Sequence, residues 1–169
     1  GILLAVILVA LGCVQGWPLR VALVLCMALS IWEMYGAFMH RGARPARWVG
    51  MLYCALVLPA YFWQGEIALG TLLIVCCMTG MSAIIMRGEV DFESVIASLF
   101  PLLYPGMMFT MIIPLQDLGA PTLSTLALAL TFVIALMSDI MAYEIGTLYG
   151  KRKLCPKLSP NKSVEGAVA

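Results

Sequence analysis

A chain of 169 residues that is 63% hydrophobic and 11% charged, with a mean hydropathy of +1.01, lies far from the roughly 25% charged composition of soluble domains. This excludes a soluble globular enzyme and predicts an all-α fold, a polytopic transmembrane helix bundle in contact with membrane lipids. The net charge of +1 identifies no partner, because the charges are segregated along the chain, and no nucleic-acid partner is expected.

The first apolar run, Ile2 to Val14, is too short for the about 20 residues that cross a bilayer. It is expected to be a partial N-terminal span rather than a signal-peptide core, since no basic n-region or cleavage pattern accompanies it. Five further spans follow at Leu19–Met39, Trp48–Gln64, Ile67–Met86, Ser94–Ile113 and Leu123–Thr147. Short loops separate them, punctuated by Gly and Pro at Gly16-Trp17-Pro18, Gly42, Pro45, Gly88 and Gly119-Ala120-Pro121. If the spans alternate, Arg41, Arg44, Arg47, Arg87 and every basic residue after Gly150 share one side, leaving Arg20 alone on the other. The positive-inside rule makes that shared side cytoplasmic, as for a bacterial inner-membrane protein.

Isolated features along these spans have ordinary readings. The six cysteines show no C-x-x-C pair and read as packing thiols. His40 ends a helix beside Arg41 and is interfacial. Glu33 lies close enough to its helix end to need no role. Pro101, Pro105 and Gly106 predict a kinked or broken fourth span.

The last span carries an acid, Asp139, in an apolar run, and such residues face a bundle interior or a water-filled site. Ser138, Ala142, Gly146 and Gly150 recur every four residues as a small-residue stripe suited to close helix packing. Asp139 and Tyr143 lie on the adjoining stripe. The span runs into Lys151, Arg152, Lys153, Lys157 and Lys162, half of the ten Lys and Arg residues. Within this basic stretch, Ser159 as N-cap and Pro160 at the first helical position predict a helix start. Free N–H groups there, with two hydroxyls and a lysine, would make an anion site. The division expected is a transmembrane bundle over 1–147, a cytoplasmic substrate-binding loop over 148–163, and the opening of a truncated helix over 164–169.

Asp139, Ala142-Tyr143, Gly146, Gly150-Lys151, Lys153-Leu154, Pro156, Ser159-Pro160, Lys162 and Glu165-Gly166 resemble the cytoplasmic-loop motif of the phosphatidate cytidylyltransferase (CDP-diacylglycerol synthase) family. Asn161 stands where that motif usually has Lys, and Ser163 where Thr is common. The resemblance implies an enzyme that condenses CTP with phosphatidate to give CDP-diacylglycerol and pyrophosphate, with Mg2+ as cofactor. It implies Asp139, Lys151 and Lys162 as catalytic residues, with Asp139 supporting either the metal or a lysine and the principal metal ligands expected downstream of Ala169. Tyr143, Lys153, Lys157, Ser159, Pro160, Asn161 and Ser163 are implied as substrate-binding residues. The family's further acidic signature lies beyond Ala169, so the activity is expected of a longer parent protein and not of this piece alone; a homo-oligomer is compatible with it. A CTP-dependent polyprenol kinase and a non-catalytic transporter or scaffold are the alternatives.

Overall fold

A computed structural model describes residues 16–88, 91–150, 153–155, 159–164 and 168, so the expected partial span before Gln15 lies outside the described residues. The order is α1 (Trp17–His40), α2 (Arg47–Gln64), α3 (Glu66–Met86), α4 (Phe92–Pro101), a π-helical turn (Leu102–Gly106), α5 (Met107–Ile112), a 3-10 turn (Pro114–Asp117) and α6 (Pro121–Leu148). Two short strands follow, β1 (Lys153–Cys155) and β2 (Ser159–Ser163).

The helix bounds follow the apolar runs to within two or three residues. Four segments are long and apolar enough to cross a membrane: α1, α3, the composite Phe92–Asp117, and α6. The chain is therefore an integral membrane protein. The second expected span, α2, is an 18-residue helix that is not among those four, because Arg47, Gln64 and the weakly hydropathic Trp48, Tyr53, Pro59, Tyr61 and Trp63 dilute its leucines and valines. It nevertheless runs the height of the bundle between α1 and α3. At its start the Ala46 N–H donates to Ser98 Oγ at 2.9 Å, and near its end the Tyr61 hydroxyl donates to Asp117 Oδ2 at 2.6 Å.

The core is built on a spacing of four. Leu19, Leu23, Met27, Ile31 and Tyr35 of α1 are each fully buried, the one stripe that successive turns of an α-helix bring onto a common face. They meet Val49, Tyr53 and Val57 of α2 in one cluster with Leu69, Cys76 and Ile84 of α3 and Leu102 of the π turn. Outside this seam the helices are apolar all round, which lipid rather than protein must cover. Where α1 and α2 cross, Tyr35 leaves no room for a side chain. A Cβ on Gly50 would sit 2.5 Å from Tyr35 Oη. Gly65 alone joins α2 to α3, at φ 65 and ψ −141, a conformation essentially restricted to glycine.

The fourth span is interrupted as its prolines predict, by a π-helical turn rather than a break. Thr110 donates to Gly106 O at 2.8 Å and pairs with Tyr53 Oη at 2.8 Å, so the irregular backbone is tied to α2. The four described thiols, Cys26, Cys54, Cys76 and Cys77, are free, and His40 Nδ1 lies 2.7 Å from Gly36 O at the helix end.

The bundle has two polar ends. At one, Ser94 Oγ accepts the Arg44 N–H at 2.8 Å and the Arg87 guanidinium donates to Arg44 O at 3.2 Å, so Arg41, Arg44, Arg47 and Arg87 gather there. Asp91 caps α4 by accepting from the Glu93 and Ser94 N–H groups. The Ser94 hydroxyl and these amides hold its carboxyl below the usual range. Arg20 lies at the other end.

Candidate functional site

The stretch singled out by sequence begins on α6. Pro121 at the first helical position and an Ala/Leu-rich sequence start and sustain the helix for 28 residues. Only Ser124 and Leu128 are buried, with Phe132 packed against the core one turn later. Beyond Leu128 no residue of α6 is buried.

Asp139 is therefore exposed, with no hydrogen bond or ion pair among the described residues. Tyr143, one turn on, is 70% exposed. The expected packed seam is not formed: Ser138 and Gly150 are exposed, and Ala142 and Gly146 only half-buried. A small-residue stripe needs a facing helix, and none of the described helices reaches this part of α6.

After α6 the Tyr149 N–H caps Ile145 O at 2.9 Å, and the backbone turns into an antiparallel pair. Lys153 stands opposite Ser163, and Cys155 opposite Ser159, with an irregularity between. Here an expectation is overturned. Ser159-Pro160 does not start a helix; Ser159–Ser163 is a strand, and helix is resumed at Val164. Proline fixes its own φ at a value that extended backbone also accepts, and pushes the preceding residue towards the β region. The pairing with Lys153–Cys155 then selects strand over helix, so Ser159 does not stand at a helix N-terminus. The hairpin instead sets Lys153, Ser159, Pro160, Asn161, Lys162 and Ser163 on two adjacent strands. Lys151 and Lys157 lie outside the described residues.

No group of three His, Cys, Asp or Glu converges among the described residues. Asp139 is the one carboxylate at the predicted site positions.

Two features were not read from sequence. One is a groove of about 660 Å³ beside the π turn, bordered by Ser30, Glu33, Met34, Tyr104 and Pro105. It is largely apolar, and Glu33 borders it without a partner among the described residues. The other is a polar cluster at the bundle end opposite the arginine group. The Arg20 guanidinium donates to both oxygens of Asp117 at 2.8 and 2.7 Å, and lies 5.1 Å from the Phe62 ring centroid. Tyr61 donates to the same carboxylate, and Gln116 Oε1 accepts the Gly16 N–H at 3.2 Å. An arginine at the start of one span and an acid at the end of another were both visible as letters, but their pairing across 97 positions was not.

A family model described as the cytidylyltransferase family matches residues 1–169. The phosphatidate cytidylyltransferase of Staphylococcus saprophyticus is 27% identical over 120 residues, covering 71% of this chain and 44% of that protein. The enzyme of the same name from Bacillus subtilis is 34% identical over 101 residues, covering 60% and 35% respectively. That of Aquifex aeolicus is 34% identical over 77 residues, 45% and 27%. The chain thus spans less than half the length of these relatives. No solved structure matches it.

Proposed function

The chain belongs to the cytidylyltransferase family, and from that premise we propose that the protein carrying it condenses CTP with phosphatidate, giving CDP-diacylglycerol and pyrophosphate. The observation that carries this reading is the hairpin after α6. Its register makes Lys153 and Ser163 partners, so Lys153–Cys155 and the Ser-Pro-x-Lys-Ser segment lie side by side after a membrane-embedded helix. A lipid phosphate in the bilayer surface and a nucleotide from water can meet at such a place.

In the proposed step a phosphate oxygen of phosphatidate attacks the α-phosphorus of CTP. The new P–O bond forms as the α–β phosphoanhydride bond breaks, and pyrophosphate leaves with the displaced electron pair. Positioning and charge neutralisation dominate such transfers. Lys151, Lys153, Lys157 and Lys162 supply positive charge to the phosphates, and Ser159, Asn161 and Ser163 supply hydrogen bonds that orient them. Pro160 and Tyr143 shape the edge of the site. Asp139, exposed and unpaired among the described residues, is the carboxylate free to take a metal, and magnesium on nucleotides is commonly held by one or two carboxylates plus phosphate oxygens. When bound, the ion would neutralise charge on the triphosphate. The hairpin and the arginine-bearing loops are proposed to face the cytosol, where CTP is found.

Lys162→Ala in the full-length protein tests the reading. Loss of one contact made to the reacting phosphates costs about 3 kcal/mol, or about a hundredfold in rate, with membrane insertion unchanged. The assay follows labelled CTP into CDP-diacylglycerol and pyrophosphate. Release of CDP in place of pyrophosphate would instead identify a lipid kinase.

A further inference from the structure

At the bundle end opposite the arginine group, a cavity of about 360 Å³ is lined by Gln116, Asp117, Gly119, Ala120, Pro121 and Ser124. We infer that this cavity is a binding site for a phosphoryl group, that of a phospholipid headgroup or of free phosphate, held by the N-terminus of α6 together with the side chains of Gln116 and Ser124.

Three observations converge on an acceptor-rich anion. Gln116 is 9% exposed, and its Nε2 has no hydrogen-bond partner. Its orientation is fixed, because the Gly16 N–H donates to Oε1 and a flipped amide would set donor against donor. A buried amide NH2 without an acceptor costs free energy that a ligand oxygen would recover. The second observation is the start of α6 itself. Its N-cap is Ala120, at φ −110 and ψ 128 with no side-chain cap. Pro121 has no N–H and the Leu123 and Ser124 N–H groups turn back to Ala120 O, so this end of a 28-residue helix offers the cavity the positive end of its dipole, with the Thr122 N–H as its one first-turn donor left over. Third, Ser124 is 3% exposed and accepts the Leu118 N–H through Oγ at 3.1 Å. Its hydroxyl proton is then left for an acceptor. The carboxylate in the lining does not oppose an anion, since the charge of Asp117 is met by Arg20 and by the Tyr61 hydroxyl.

This site shares no residue with the hairpin and does not rest on the catalytic reading. The test uses the full-length chain in detergent, stripped of lipid, with Lys162→Ala as background so that the basic hairpin contributes less to phosphate binding. Thermal unfolding is followed against inorganic phosphate in one arm, and against nanodiscs of phosphatidylethanolamine and phosphatidylglycerol or of a phosphate-free galactolipid in the other. A phosphate-bearing ligand is expected to raise the midpoint while the galactolipid does not. Response to both phosphate arms, or to either alone, supports the site and identifies its source. Gln116→Glu keeps the Gly16 contact and the volume but replaces the donor by an oxyanion, and should weaken the apparent affinity at least tenfold. Ala120→Asp, which supplies the missing cap, should raise the unliganded midpoint and abolish the response even if Gln116→Glu folds poorly. No response to either phosphate arm, or an undiminished response in Ala120→Asp, would overturn the inference and leave Gln116 to a water molecule.

Discussion

Replacing Asp117 by Ala should destabilise the bundle more than replacing its partner Arg20 by Met, although each change removes the same ion pair. The asymmetry comes from burial: the Arg20 side chain is 11% exposed and that of Asp117 45%. Stranding a buried charge costs about 3–5 kcal/mol. The half-open setting of Asp117 lets some water reach Arg20 once the carboxylate is gone, and about 2–3 kcal/mol is a fitting discount. Removing Arg20 leaves a carboxylate that water can rehydrate, and Met preserves the apolar stem. The loss is then that of a mostly solvated pair plus stacking on Phe62, about 1 kcal/mol. The double variant should resemble Arg20→Met alone, because no charge is stranded, so the two changes couple strongly. Detergent-solubilised protein would be followed by thermal unfolding, where about 2 kcal/mol corresponds to about 4–8 °C for a chain of this size. Equal losses in the two single variants, or a double variant as damaged as the sum, would refute the argument that desolvation of Arg20 governs this end of the bundle.

Gly50→Ala drives a methyl into the Tyr35 ring and should cost about 1–3 kcal/mol by overpacking; a smaller residue at position 35 should recover much of this in the double variant, and an unchanged midpoint for Gly50→Ala would disprove the close approach. Asp139→Asn keeps the volume and the capacity to hydrogen-bond, so abundance and detergent stability should be normal while CDP-diacylglycerol formation falls at least tenfold, with partial recovery at high magnesium. Activity that tracks only the amount of folded protein would make Asp139 a scaffold residue. Single cysteines at positions 44 and 157, on a background with native thiols removed, should resist an impermeant reagent added outside intact cells; labelling at either position contradicts a cytosolic hairpin.

The helices were legible because each is a run of apolar letters ended by Gly, Pro or charge, and the expected Leu19–Met39 became Trp17–His40 with no change of register. The prolines of the fourth span announced an irregularity, though not that it would be π-helical. The hairpin was misread because Ser-Pro fits a helix start and an extended strand equally well, and the choice is made by backbone pairing with Lys153–Cys155, which no local pattern records. The site was legible as chemistry, a lone acid followed by a basic stretch, but not as geometry. Asp139 and Tyr143 lie on a face of α6 that the described helices leave open, and the Arg20–Asp117 pair joins residues whose separation hides them from any window of sequence.

The single-residue link at Gly65 bears on how the protein enters its membrane. By hydropathy α2 is a poor candidate to partition into lipid by itself, whereas α3 is a good one. With one glycine between them, the residues at the end of α2 cannot stay in the water on one side while α3 crosses to the other. The two legs must pass through the insertion machinery as a helical hairpin, Arg47 to Met86, in which the surplus hydrophobicity of α3 carries α2 across. Lengthening this turn would uncouple the two decisions and strand α2 at the surface, although every residue of the finished core was present.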